Sequence, residues 1–155
     1  MHRNKFAAPE VLPQPWRRRV LWVDDSRLLL SLYKSVFENL GFEVLARSSP
    51  KETLHYLSSD AADVAILDYD MPEMNGGDLA LLIKAQSPTL PVILYTGSTC
   101  VPHSVHRCVD AVCAKGAPRE ELVAVIERLT RESAYEPSSA GPLASLPEST
   151  VTQQA

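Results

Sequence analysis

Apolar residues in this chain fall into short continuous runs, separated by stretches in which they recur at helical spacing. Val20-Leu21-Trp22-Val23 stops abruptly at Asp24-Asp25, and Val64-Ala65-Ile66-Leu67 stops at Asp68. Short apolar runs bounded by polar residues read as strands buried on both faces. Residues 43–46, 91–95 and 111–114 complete a set of five. Between the first two strands, Leu29, Leu32, Val36 and Leu40 mark a helix, and Gly41 offers its C-terminal stop. Ser49-Pro50-Lys51-Glu52 combines a capping box with proline at the first helical position, which predicts a helix start. A further helix is predicted over residues 77–86. Residues 101–109 have room for only a short one, and Leu122, Val125, Ile126 and Leu129 mark the last. Five strands alternating with five helices predict a parallel, doubly wound α/β sheet.

The chain has 155 residues, enough for one domain with a sizeable core. Charged residues make up 22% and the net charge is −4, so no broad nucleic-acid surface and no direct nucleic-acid partner are expected. Arg17-Arg18-Arg19 reads as solvated charge ahead of the first strand. It is not a twin-arginine signal, because the apolar run behind it ends at once in two aspartates. No stretch approaches the roughly 20 apolar residues of a membrane span. No membrane association is expected, and the predicted location is cytoplasmic.

Residues 1–18 contain three prolines and no periodicity and are predicted to be a disordered arm. Residues 132–155 are rich in Pro and Ser and are predicted to be a disordered tail. The folding unit is then residues 19–131. Cys100, Cys108 and Cys113 make an odd count, so structural disulfides are not expected. Their spacing with His103 and His106 matches no standard zinc pattern. Cys113, in an apolar run, reads as a small core residue.

In a parallel sheet the C-terminal strand ends open on one rim, where such folds present their chemistry. That rim would carry Asp24, Asp25, Asp68, Thr96 and Lys115. Three carboxylates so close repel, and they need a divalent cation, a shared proton or a cationic partner. Each residue type suits phosphoryl transfer. One carboxylate can act as nucleophile while others hold Mg²⁺. A hydroxyl and an ammonium can each bond a phosphoryl oxygen.

In order along the chain, Val23-Asp24-Asp25, Ile66-Leu67-Asp68, Met71-Pro72, Asn75-Gly76, Tyr95-Thr96-Gly97 and Ala114-Lys115-Gly116 resemble the motifs of the receiver domain of two-component response regulators. Each motif alone is weak, but the ordered set is specific and spans residues 19–131. The resemblance implies a flavodoxin-like five-stranded sheet of order 2-1-3-4-5 with five helices, and an aspartyl-phosphate switch. It makes Asp68 the phospho-acceptor and Asp25 a direct Mg²⁺ ligand. Asp24 would act largely through a metal-bound water, and the backbone carbonyl of Asp70 would be a further ligand. Thr96 and Lys115 would bond the phosphoryl oxygens. The implied partners are a sensor histidine kinase or phosphotransfer protein, and a downstream protein recognising the face formed by the fourth helix, fifth strand and fifth helix. The expected chemistry is limited to the protein's own phosphorylation and autodephosphorylation, without an output domain of its own.

Two substitutions depart from that pattern. Gly116 stands where the family usually has proline, and Val112 where it usually has an aromatic. They bear on how phosphorylation alters the outer surface, not on the chemistry. The competing reading is a haloacid-dehalogenase-like phosphatase built on Asp68-Tyr69-Asp70. Such a pair normally follows the first strand and has a hydroxyl two residues later, where this chain has Pro72.

Overall fold

The computed structural model describes residues 17–59 and 61–134. Strands β1 (Arg19–Val23), β2 (Glu43–Arg47), β3 (Val64–Asp68), β4 (Val92–Thr96) and β5 (Ala111–Ala114) alternate with five helices. These are α1 (Arg27–Asn39), α2 (Pro50–Tyr56), α3 (Gly76–Gln86), α4 (His103–His106) and α5 (Arg119–Ala134). The strands pair in parallel in the order β2-β1-β3-β4-β5, the flavodoxin-like arrangement. α5 runs three residues past the expected limit at 131, helped by an Arg128–Glu132 pair one turn apart, so residues 132–134 belong to the helix. The rest of the predicted arm and tail, residues 1–16 and 135–155, lies outside the described residues.

Side-chain alternation divides the core between the two faces of the sheet. Val20, Trp22, Val64, Ile66 and Ile93 pack with Leu30, Phe37, Leu122, Ile126 and Leu129 of α1 and α5. Leu21, Val23, Ala65, Leu67, Val92 and Leu94 face the opposite way and pack with Leu79, Ala80 and Ile83 of α3. β3 is buried along its whole length, which explains its unbroken apolar run.

α1 departs from the expected stripe. Leu32 and Leu40 are exposed, and the face that packs on the sheet carries Leu30, Tyr33, Val36 and Phe37. The aromatic pair decides the rotation of the helix: Trp22 stacks on Tyr33 and meets Phe37 edge-on. Gly41 ends α1 as predicted, with a φ of 94° and its N–H donating to the Glu38 carbonyl. Ser49 caps α2 by accepting from the Glu52 N–H at 3.4 Å, with Pro50 in the first turn.

Candidate functional site

Asp24, Asp25 and Asp68 meet at the C-terminal rim, with one carboxylate oxygen from each within 4.8 Å of the others. Asp24 and Asp68 are 1% and 5% exposed, whereas Asp25 is exposed. Asp24 is fixed from two sides: its Oδ1 accepts from the Ser26 N–H at 2.9 Å and its Oδ2 from Lys115 Nζ at 3.0 Å. Ser26 is itself the N-cap of α1, accepting from the Leu29 N–H. The cap therefore leaves Asp25 free to face the cluster, a role for Ser26 that the sequence reading missed. Ser26 immediately before the helical run was the available signal.

Lys115 Nζ also lies 3.0 Å from Asp68 Oδ1, so one ammonium bridges two strand-end carboxylates. Burial works to lower the Lys115 pKa, but its hydrogen bonds to Asp24 and Asp68 outweigh this and hold it above the ordinary value. Asp68 is pushed above the usual carboxylate range by burial. Lys115 acts in the opposite direction, while the Asp24 charge adds to the upward push.

Thr96 ends β4, 2% exposed, and its Oγ1 accepts from the Ser98 N–H at 2.9 Å. Its carbonyl accepts from the Lys115 N–H at 2.9 Å, tying the ends of β4 and β5 together. The loop after Asp68 folds back so that the Gly76 N–H donates to the Tyr69 carbonyl at 2.9 Å. A Cβ on Gly76 would collide with the Asp68 backbone carbonyl, so glycine is required there for the loop to close on the site. Asn75 then caps α3 through bonds from the Gly77 and Asp78 N–H groups.

Asp24, Asp25, Asp68, Thr96 and Lys115 thus all stand at one rim. The Asp70 side chain is exposed and is not among the gathered carboxylates. Cys100, His103, His106 and Cys108 form no such group among the described residues, and Cys113 packs beside the α1–α5 core. Val112 is half-buried on the opposite, α3-side face. The sequence reading also missed Tyr33 and gave Tyr95 no role of its own; burial pushes both phenols above the ordinary value, with the Lys115 charge acting in the opposite direction.

Three carboxylates against one ammonium leave net negative charge on hard oxygen donors, which fits Mg²⁺. Among the described residues no helix is long and apolar enough to cross a membrane.

Comparison with known proteins points the same way. Residues 20–127 match the response regulator receiver domain. The response regulator SaeR of Staphylococcus aureus is 32% identical over 120 residues, covering 75% of this chain and 52% of SaeR. The chain therefore spans about half the length of the curated relatives it matches. A CheY-like receiver domain protein from Methanospirillum hungatei superposes with a TM-score of 0.70 at 26% identity, over 76% of this chain and 97% of that one. The response regulator TrrA from Thermotoga maritima, solved in complex with Mg(2+)-BeF, gives 0.68 at 26% identity, over 72% and 98%.

Proposed function

Because the chain belongs to the receiver-domain family of two-component response regulators, we propose that it is a Mg²⁺-dependent phospho-acceptor modified on Asp68. The observation that carries this reading is the Lys115 ammonium held 3.0 Å from both Asp68 and Asp24 at the sheet rim. A carboxylate there has a cation ready to meet charge that arrives with a phosphoryl group.

Receiver domains take their phosphoryl group from histidine kinases or phosphotransfer proteins, and the donor proposed here is a phosphohistidine on such a partner. An Asp68 oxygen attacks phosphorus, the P–N bond breaks, and its electron pair stays on the imidazole nitrogen, leaving an aspartyl phosphate. Lys115 shifts from the carboxylates to one phosphoryl oxygen, and the Thr96 hydroxyl donates to another. Asp24, Asp25, Asp68 and the Asp70 carbonyl are the groups that would hold Mg²⁺. When bound there, Mg²⁺ neutralises phosphoryl charge. The proposed receiver unit is residues 19–134, with α4, β5 and α5 offering the output face to a downstream protein.

Intact-mass measurement after treatment with a small phosphodonor and Mg²⁺ tests the assignment. Wild type should gain one labile phosphoryl group and Asp68→Asn none. An undiminished adduct on the variant would overturn it. Sustained turnover of a small phosphate ester would point instead to a phosphatase.

A further inference from the structure

One residue of α4 turns toward the domain. His103, Ser104 and His106 are exposed, whereas Val105 packs against the α3-side core. The helix has no side-chain cap, so its place depends on what Val105 touches. That neighbour is Gly77, the second residue of α3. A Cβ on Gly77 would lie 2.8 Å from Val105 Cγ2 and 3.1 Å from its Cγ1, so the valine methyls occupy the space of the missing side chain. Gly77 has no positive φ, and alanine is the better helix former. What calls for glycine here is the valine.

The start of α3 is fixed from the site itself. The Gly77 N–H donates to Asn75 Oδ1 at 2.8 Å. Gly76 is closed against the Asp68 backbone carbonyl, and its N–H donates to the Tyr69 carbonyl at 2.9 Å. The Asp68 backbone, the first turn of α3 and Val105 therefore form one packed series. α4 is tied to the rim a second time through its own chain. Thr96 Oγ1 accepts from the Ser98 N–H at 2.9 Å, and that segment leads directly into α4.

We propose that Val105 seated on Gly77 is a latch, holding α4 in the arrangement in which Thr96 bonds Ser98, and that phosphorylation works against it. The inference rests on Asp68 being the phospho-acceptor. A Thr96 hydroxyl drawn to a phosphoryl oxygen moves the Ser98 N–H bonded to it, and the segment so moved carries α4 away from α3. Gly77 cannot follow, because Gly76 before it is closed against Asp68. Weakening the latch therefore favours the phosphorylated arrangement, and by linkage a phosphoryl mimic binds more tightly. Damage to the site itself would have the opposite sign.

Beryllofluoride titration of the full chain in saturating Mg²⁺ tests this. Gly77→Ala should bind about fivefold tighter than wild type, because its methyl displaces Val105. In the Gly77→Ala, Val105→Ala double variant the new methyl takes the vacated space, and affinity should return to within about twofold of wild type. The methyl stands 3.1 Å from Asn75 Oδ1 in both variants, so an effect exerted through the α3 cap would not be rescued. Weaker or unchanged binding by Gly77→Ala, or no return in the double variant, would overturn the latch. Wild type taking no beryllofluoride would defeat the acceptor reading and the latch with it, whereas failure of the latch alone leaves wild-type binding intact.

Discussion

Asp68 and Lys115 form a largely buried ion pair at 3.0 Å, and Asp24 shares the same ammonium at an equal 3.0 Å. One cation thus serves two buried carboxylates, with Asp25 adding a third charge from the solvent side. The balance is unfavourable to Asp68, whose carboxyl is pushed upward first by burial and then by Asp24, against the pull of Lys115.

A carboxyl raised in the folded state contributes stability below its unfolded pKa and loses it as pH rises through the folded value. At neutral pH without Mg²⁺, ionised Asp68 therefore costs stability. Asp68→Asn removes the charge at nearly constant volume, so its melting temperature should exceed that of wild type by a few degrees at pH 7. The gap should close as pH falls toward the ordinary carboxylate range. Added Mg²⁺ should raise the wild-type melting temperature more than that of the variant. Melting curves across pH that coincide for the two proteins would contradict this account.

Asp25 differs from its neighbours in being exposed, with no protein hydrogen bond holding its carboxylate among those described. Its removal should leave the fold intact and act on the cation alone. Asp25→Ala is expected to lower Mg²⁺ affinity at least tenfold, on the order of one lost carboxylate ligand, with little change in cation-free melting temperature. Equal affinities in calorimetry would mean that Asp25 is not a ligand.

How much of this was legible in the sequence depends on the range of the interaction. The strands, their alternation with helices and the polar residues at their ends follow from local pattern, and the set of residues at the rim was readable for that reason. α1 was misread because apolar side chains occupy most of its positions, including Leu28, which is 81% exposed. Periodicity cannot choose a face when several stripes compete, and the choice falls to the Trp22–Tyr33 stack. Lys115 bridging Asp24 across 91 residues, and Tyr95 standing abreast of Asp68, depend on strand register. Neither contact leaves a local trace in the sequence.

The loop after Asp68 holds a correctable strain. Glu73 adopts a φ of 68°, the left-handed region that L side chains with a long stem populate poorly. Its ion pair with Lys51, at 3.5 Å, joins side chains 77% and 62% exposed and compensates little. Glu73→Asn should stabilise the protein by about 0.5 kcal/mol, since asparagine tolerates this conformation better. Urea denaturation with an unchanged slope and a higher midpoint would bear this out. An unchanged or lower midpoint would show that the Lys51 contact outweighs the strain.

The output change should begin where Thr96 and Lys115 are joined, by the 2.9 Å bond from the Lys115 N–H to the Thr96 carbonyl. Val112 is β-branched, half-buried opposite Leu94 on the α3-side face, and too small to act as an inward-turning aromatic. The segment from Gly97 to Val109 is held weakly: the four-residue α4 has no buried residue, and Val101, Val105 and Val109 pack against the core only partly buried. Weakly held segments respond to the smallest differential free energy, whereas moving a population from 1:99 to 99:1 needs about 5.5 kcal/mol. Phosphorylation is therefore expected to alter residues 97–118 and the face that α4 forms with β5 and α5, without a rotamer change at Val112. Hydrogen exchange on Mg²⁺-bound protein, with and without a beryllofluoride phosphoryl mimic, should show altered protection there. If residues 97–118 are unchanged while α1 responds, the partner surface lies instead beside Asp24 and Asp25.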